Sequence, residues 1–287
     1  TPGHGAASVR NKGPCSRSTS RQSTRFGGNS GLAKVKKTLQ NGAERPEAYK
    51  MWAFAAGLLI KYLPGNAVIA EIGVATGDFS KHILSVCQPK ELHLIDPWQY
   101  QESAEYQTDA ENVPPEIAVA RYQNILRVFD EEIRSQRVFV HKCFSHEAAG
   151  KFPDRHFDWV FIDGMHSYDA CLSDLRLYSD KVKADGFITG HDYANHPAAL
   201  HSNFGVVEAV NRFISETGFI FAALTCEVYP AYVISKTTQT DRYRDFIASA
   251  LLNLPVYAEI KNPEKKIYQQ VVANFSNGAQ KIILSFD

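Results

Sequence analysis

The sequence lacks any close pairing of cysteines. Its five cysteines are widely spaced and none stands in a C-x-x-C arrangement, so neither a zinc motif nor a disulfide framework is indicated (Cys15, Cys87, Cys143, Cys171, Cys226). Long apolar runs are also missing, because the longest covers residues 51–60 between two lysines and is too short to cross a bilayer. We therefore expect no membrane span and a reducing compartment, the cytoplasm.

Acidic residues are absent from residues 1–40, which hold eight Lys or Arg. Residues 1–31 are rich in Gly, Ser and Arg, which predicts a disordered basic tail. An organellar import peptide has a similar composition, so import by this tail stays open. The rest of the chain has 23 basic against 31 acidic residues, a net charge of −8. A folded body of that sign argues against a nucleic-acid partner.

Beyond the tail, apolar residues recur at helical spacing from Pro46 to Leu63, and Pro64 and Gly65 end the pattern. We predict an amphipathic helix there, which forms an N-terminal cap. Strand patterns then alternate with helix patterns, which is typical of a parallel sheet with helices on both faces. The strand patterns are AVIAEIG, ELHLID, RVFVHKCF, FDWVFID and GFITGHD.

Two further strand-like runs, FIFAAL and VYPAYVIS, are separated by only three residues, which predicts an antiparallel hairpin. The sequence thus predicts an α/β fold: a doubly wound, mostly parallel, seven-stranded sheet with a terminal antiparallel hairpin. This domain covers residues 32–236 with its helical cap. Residues 237–287 form a C-terminal extension of unknown role, in which we expect helices at 242–252 and 263–275 and a final strand.

The first candidate binding motif runs from Gly73 to Gly77, where a strand gives way to a helix. Ligands of doubly wound sheets bind at the carboxyl ends of strands, and glycines let the backbone approach them closely. The spacing is G-x-x-x-G, so Ala75 has a methyl group where a dinucleotide site needs bare backbone. Asp96 ends the next strand 19 residues later, where a carboxylate suits two ribose hydroxyls. Capping of the turn before Pro97 is the alternative role for Asp96.

These blocks (E-I-G-V-A-T-G and L-I-D) are followed by F-V-H-K-C-F-S, F-I-D-G-M-H-S-Y and G-F-I-T-G-H-D-Y. Together they resemble class I S-adenosylmethionine (SAM) dependent methyltransferases, in the small-molecule O-methyltransferase branch, over about residues 46–236. The resemblance implies a Rossmann-like methyltransferase fold, SAM as the methyl donor and a small-molecule acceptor, methylated on a hydroxyl oxygen. Methylation of nitrogen uses the same residues and stays open.

The resemblance also assigns residues to parts of SAM. Glu71, Gly73 and Gly77 correspond to the surroundings of the methionine end, with Asp78 or Ser80 near its amino and carboxylate groups. Asp96 corresponds to the ribose position. The remaining assignments lie on the adenine side, where Trp98 is expected to stack near the ring (Trp98, Ser145, His146).

Asp163 and Asp192 follow two strands that we expect to be neighbours. In metal-dependent O-methyltransferases that resemble this chain, the matching carboxylates bind magnesium or a similar ion, which lowers the pKa of the acceptor hydroxyl. This chain differs in having Tyr193 after the second carboxylate and His191 before it. We take Asp163, His191 and Asp192 as candidate ligands of a divalent metal, Mg²⁺ or a softer ion. Asp163 also borders the expected cofactor site.

His166 lies three residues after Asp163, where related enzymes place a general base, and an imidazole accepts a proton near neutral pH. Helix capping is its structural alternative. Two other functions remain open: a metal-dependent hydroxylase or hydrolase on the same scaffold, and a non-catalytic binding module. Dependence on added SAM separates the hydroxylase or hydrolase from methyl transfer, and intact Gly73, Gly77 and Asp96 argue against a degenerate, non-catalytic pocket. The acceptor and the quaternary state, a homodimer included, are not fixed by the sequence.

Overall fold

A computed structural model describes residues 50–54 and 59–287. The predicted tail at 1–31, and the part of the predicted cap at 32–49, lie outside the described residues. The described residues form eleven strands and eight α-helices. In chain order they are β1 (Lys50–Phe54), β2 (Val68–Ile72), α1 (Asp78–Cys87), β3 (Glu91–Asp96), α2 (Pro115–Val128), α3 (Asp130–Arg134), β4 (Val138–Lys142), α4 (Ser145–Ala149), β5 (Phe157–Ile162), α5 (Tyr168–Ser179), β6 (Val182–Gly190), α6 (Pro197–His201), α7 (Val206–Thr217), β7 (Ile220–Thr225), β8 (Tyr232–Ser235), α8 (Asp241–Asn253), β9 (Tyr257–Lys261), β10 (Tyr268–Asn274) and β11 (Gln280–Phe286).

Nine of the strands form one sheet in the order β4-β3-β2-β5-β6-β8-β7-β1-β9. The pairs from β4 to β6 are all parallel, whereas β8 is antiparallel to both β6 and β7. The chain leaves β2 in one direction towards β3 and β4, and later continues from β5 in the other. The carboxyl ends of β2 and β5 therefore border the topological switch point, where doubly wound sheets bind ligands.

The α/β class, the mostly parallel sheet and the antiparallel hairpin of β7 and β8 are confirmed. The predicted number of seven strands is wrong, because β1 and β9 extend the sheet beyond the hairpin. The predicted cap helix is also wrong over β1, which pairs with β7 on one side and β9 on the other. Met51 and Ala53 are buried on one side of this strand, and sheet pairing overrides the helical spacing of the apolar residues around them.

The C-terminal extension is partly as predicted. Helix α8 is confirmed, but the expected helix at 263–275 is wrong. A single 3-10 turn at Pro263–Lys265 leads instead into β10, which pairs with β11 in a separate two-stranded sheet. This hairpin is attached to the domain through Asn195. The backbone N–H of Asn195 donates to Gln270 Oε1 at 3.0 Å, and its side-chain Oδ1 accepts from the backbone N–H of Gln270 at 2.9 Å.

Helices cover both faces of the central strands. All six residues of β5 are buried, and they alternate between two apolar clusters on opposite faces: Trp159 and Phe161 belong to one, and Val160 and Ile162 to the other. A strand that is apolar on both sides is typical of a parallel sheet between helical layers. No helix in the described part of the chain is long and apolar enough to cross a membrane.

Candidate active site

A cavity of about 770 Å³ lies at the carboxyl ends of β2, β3, β5 and β6, at the switch point of the sheet. Its size is within the range of small-molecule sites. Eleven of the thirteen site residues predicted from the sequence line it: Glu71, Gly73, Asp78, Asp96, Trp98, Ser145, His146, Asp163, His166, His191 and Asp192. The other two, Gly77 and Ser80, do not.

The turn between β2 and α1 requires its two glycines for steric reasons. Gly73 has φ +84°, and a Cβ there would lie 2.0 Å from the carbonyl oxygen of Asp163. Gly77 has φ +79° and precedes α1, and a Cβ there would lie 2.4 Å from Ile125 Cδ1. Gly73 thus brings the ends of β2 and β5 together at the cavity, whereas Gly77 packs the turn against α2.

Glu71 and Ser80 form a buried pair beside this turn. The Ser80 hydroxyl donates to Glu71 Oε2 at 2.6 Å. Burial raises the pKa of Glu71 well above its usual range. Ser80 is fully buried behind Glu71 and so positions that side chain. Asp78 lines the cavity from the start of α1, where it accepts hydrogen bonds from Thr76 and Lys81.

Asp96 holds the turn through backbone hydrogen bonds. Its Oδ2 accepts from the N–H groups of Val74 and Ala75 at 2.9 and 3.0 Å, and its Oδ1 accepts from the N–H of Trp98 at 2.6 Å. An ionised carboxylate has about four acceptor positions, so these bonds leave about one for a ligand. Asp96 therefore combines the capping role and a position on the cavity wall.

The predicted adenine side holds a residue that the sequence analysis did not single out. Asp174, from α5, lines the cavity and accepts a hydrogen bond from Ser145 Oγ at 2.5 Å. Burial raises the pKa of Asp174 to about 6. The sign available in the sequence was a charged residue in the middle of a predicted helix, next to apolar residues.

Trp98 donates its indole N–H to the carbonyl oxygen of Ala75 at 3.0 Å, and its ring packs against Tyr122.

The ends of β5 and β6 bring together four polar side chains, which we call the cavity cluster: Asp163, His166, His191 and Asp192. His166 Nε2 lies 2.9 Å from Asp192 Oδ2 and 3.9 Å from Asp163 Oδ1. His191 Nδ1 lies 3.1 Å from Asp192 Oδ1. Asp192 thus joins both imidazoles, from a backbone conformation with φ +59°.

Charge dominates the cavity cluster. Burial lowers the pKa of His166, but its contacts with Asp163 and Asp192 outweigh burial and raise it to about 10. Burial raises the pKa of Asp192, but hydrogen bonds from His166 and His191 hold it well below its usual range. Burial also raises the pKa of Asp163. A general base must be free of its own proton before it can accept another. The ion pair with the carboxylates opposes the loss of that proton from His166.

Three residues of the cavity cluster are also close enough to bind one metal ion. Donor atoms of Asp163, His191 and Asp192 all lie within 4.8 Å of one another. Two carboxylates and one imidazole suit a divalent cation, and the imidazole favours ions softer than Mg²⁺. The predicted trio therefore has donors of the required type and spacing.

The loop after β6 contributes apolar side chains to the cavity wall. Phe204 packs against the ring of His166 with a centroid separation of 4.5 Å, and Tyr229, from the connection between β7 and β8, packs against Phe204. Neither aromatic residue was predicted from the sequence, where no motif marks them. His196 is buried and caps α6 through Nδ1, and His201 is exposed.

Residues 70–193 match the model of a family described as a methyltransferase domain, which is somewhat less than half of the chain. This segment contains every predicted site residue. No curated protein matches the sequence.

Solved structures with a similar fold include a SAM-dependent methyltransferase from Aquifex aeolicus (14% identity, 71% of this chain and 97% of that one, TM-score 0.42). The precorrin-6y C5,15-methyltransferase from Geobacter metallireducens is another (17%, 61% and 82%, TM-score 0.40). A spermidine synthase from Thermotoga maritima is a third (13%, 69% and 63%, TM-score 0.43), and the chain spans less than two thirds of its length.

Proposed function

We propose that this protein is a SAM-dependent methyltransferase that acts on a hydroxyl oxygen of a small molecule such as a sugar, a polyketide or a phenol. The observation that carries the proposal is the cavity at the switch point, whose wall joins Gly73 and Asp96 to the cavity cluster. The match of residues 70–193 to a methyltransferase domain family supports the same reaction.

The cavity has the features that binding of SAM requires. The methionine end would lie along the turn from Gly73 to Asp78, the ribose at the remaining acceptor position of Asp96, and the adenine near Trp98, Ser145 and His146. Its volume is sufficient for SAM together with a small acceptor. The acceptor would then lie between the sulfonium methyl group and the cavity cluster, with Phe204 and Tyr229 excluding water.

Methyl transfer is an in-line displacement, so the protein mainly aligns the two reactants and removes a proton. The acceptor oxygen forms a bond to the methyl carbon while the bond from sulfur to that carbon breaks, and S-adenosylhomocysteine leaves. We assign the proton of the acceptor hydroxyl to His166, which faces the cavity.

We also propose that Asp163, His191 and Asp192 hold a divalent cation during the reaction. Such a cation would polarise the acceptor hydroxyl and neutralise part of the carboxylate charge that holds the proton on His166. Activity that persists unchanged after removal of all divalent metal would contradict this part of the proposal and leave SAM binding untouched.

The first experiment is a calorimetric titration of the full chain with SAM. We expect micromolar binding, and a loss of at least about tenfold in affinity for Asp96→Asn, equivalent to about 1.4 kcal/mol. Asp96→Asn keeps an oxygen for the N–H groups of Val74 and Ala75 but loses the acceptor for the N–H of Trp98, and Asp96→Ala is expected to bind more weakly still. Asp130→Ala removes a carboxylate from an ion pair with Arg134, away from the cavity, and is the matched control.

Failure of the folded wild-type protein to bind SAM would overturn the proposed function. In that case, metal content and hydrolytic activity of the cavity cluster would be measured next, because the same residues suit a metal-dependent hydrolase or hydroxylase. Equal SAM affinity of wild type and both Asp96 variants would keep SAM as ligand and refute the ribose assignment.

A further inference from the structure

A second group of histidines lies on the sheet apart from the cavity. Glu91 begins β3 and His93 follows two residues later, so both side chains lie on the same face of the strand. His156 immediately precedes β5. Donor atoms of these three residues all lie within 4.8 Å of one another, and none of the three lines the cavity.

His93 supplies the observation that points to a ligand. The residue is 6% exposed, and its Nε2 has no hydrogen-bond partner within the described part of the chain. Leaving a buried polar atom unpaired costs about 1–3 kcal/mol, so such atoms call for an explanation. The nearest carboxylate oxygen, Glu91 Oε2, is 3.7 Å away, which is too far for a hydrogen bond.

That separation is close to the distance between two ligands of one metal ion. In a tetrahedral zinc site with bonds of about 2.0–2.1 Å, neighbouring ligand atoms are about 3.3 Å apart. A small movement of the half-buried Glu91 side chain would bring Oε2 to this distance from His93 Nε2. The other oxygen, Oε1, is held by Lys90 at 3.1 Å, which leaves Oε2 for a ligand.

A fourth residue fixes the orientation of His93. His93 Nδ1 lies 3.0 Å from His141 Nε2. If Nδ1 carries the proton and donates a hydrogen bond to His141, the lone pair of His93 is on Nε2, the nitrogen 3.7 Å from Glu91 Oε2. A ligating histidine almost always donates its other ring N–H to a neighbour in this way.

Aromatic rings hold the imidazole of His93 in place. Its centroid is 4.9 Å from that of Phe139, 5.1 Å from Phe152 and 5.5 Å from Phe157. These contacts restrict the ring before any ion arrives, so little side-chain entropy remains to be lost on binding. His156 and Glu91 are only half-buried, so these two ligands are accessible to an ion from solvent.

We propose that Glu91, His93 and His156 bind one divalent cation of the zinc class at the amino end of β3, with His141 as the positioning residue of His93. Two imidazoles and one carboxylate form a set that zinc accepts with a fourth position open, whereas magnesium prefers oxygen ligands. This site is separate from the candidate metal ligands of the cavity.

The experiment is a calorimetric titration of the metal-free full chain with ZnCl₂. The cavity cluster is disabled by Asp163→Asn/Asp192→Asn, so that only the second site is counted. We expect one equivalent of zinc in this background. Adding His156→Ala or Glu91→Gln should weaken binding at least about a hundredfold, and His201→Ala, which removes an exposed imidazole elsewhere, should leave it unchanged.

His141→Phe tests the positioning role. Phenylalanine keeps the ring contact with Phe152 and removes the acceptor for His93 Nδ1–H. Loss of such an outer partner should weaken zinc binding about 10- to 100-fold without changing the number of sites. Thermal unfolding in a chelator serves as the folding control for each variant.

Absence of zinc binding by the folded background protein would overturn the proposal and leave the residues as a packing cluster. Undiminished zinc affinity and stoichiometry in both His156→Ala and Glu91→Gln would overturn it as well. Magnesium binding as tight as that of zinc would contradict the assigned class of ion.

Discussion

The molecule contains two groups of histidines and carboxylates that differ in nearly everything except residue type. In the cavity cluster, Asp192 contacts His166 and His191 at 2.9 and 3.1 Å, and these contacts override burial and raise the pKa of His166 to about 10. In the β3 cluster (Glu91, His93, His141 and His156), burial and two neighbouring imidazoles lower the pKa of His93 to about 4.

The difference shows that the partners of a histidine, rather than its depth, decide its charge. His93 and His166 are both largely buried, and burial alone lowers the pKa of each. His166 has a carboxylate within hydrogen-bond distance, Asp192 at 2.9 Å. The carboxylate beside His93, Glu91, is 3.7 Å away and does not reverse the effect of burial. One cluster is therefore organised around an ion pair and the other around stacked rings, which suits them to different chemistry.

The substitution that we expect to disrupt the cavity cluster most lies outside the cluster, at Gly73. In Gly73→Ala, the new Cβ would lie 2.0 Å from the Asp163 carbonyl oxygen, and the atoms that it meets are all backbone, so a segment of the chain must shift. We expect the free energy of unfolding to fall by about 4 kcal/mol or more, measured by urea denaturation.

Gly278→Ala is the matched control for this substitution. Gly278 also has a positive φ, +81°, but a Cβ there meets no atom within 4 Å. Conformational strain alone should cost about 1 kcal/mol. Equal losses at the two positions would contradict the idea that close packing against β5 positions the cavity cluster.

A second pair of variants compares the clusters directly. His166→Phe leaves the buried Asp192 with only one of its two imidazole partners, and we expect a loss of about 3 kcal/mol in the free energy of unfolding. His93→Phe places another ring among rings, breaks no ion pair and loses one hydrogen bond, to His141, so the change should be within about 1 kcal/mol. Both are measured at pH 7 in a chelator. A larger loss for His93→Phe than for His166→Phe would reverse the comparison.

The two clusters also differ in how far the sequence predicts them. The residues of the cavity cluster stand directly after apolar strands, and the carboxyl ends of neighbouring parallel strands meet, so Asp163 and Asp192 could be placed together in advance. The antiparallel hairpin was equally accessible, since three residues cannot hold a crossover. In each case a local pattern and a rule of topology were sufficient.

Other features depend on contacts distant in sequence. Residues 50–54 lie within a stretch, Pro46 to Leu63, whose apolar spacing suits a helix, and pairing with β7 and β9 makes them a strand. The β3 cluster brings Glu91 together with His156 across 65 positions of sequence, through the order of strands in the sheet. Neither position is marked by a local motif. For Asp96, likewise, the sequence suggested hydrogen bonds to its own turn only as an alternative to ribose binding.

Asp174 is expected to give a smaller effect than Gly73 or His166, because no ion pair holds this buried carboxylate within the described part of the chain. The charge of His146 lowers the pKa of Asp174 less than burial raises it. Burial raises its pKa to about 6, so the folded protein keeps this proton more tightly than the unfolded chain, whose aspartates have a pKa near 3.9. The free energy of unfolding should therefore fall as the pH rises from about 4 to about 6, and the penalty is then constant up to neutral pH.

Asp174→Asn removes this penalty while keeping an oxygen that accepts the hydrogen bond from Ser145. We expect the variant to be more stable than wild type by about 1–2 kcal/mol at pH 7 and equally stable near pH 4, measured by urea denaturation at both values. A variant that is destabilised equally at both pH values would mean that Asp174 is stabilised by a partner and resembles Asp192 more than its surroundings suggest. The expected result would instead show that the charge of Asp174, unlike that of Asp192, is not balanced by an ion pair, and that ionising this carboxylate on the wall of the cavity lowers the stability of the fold.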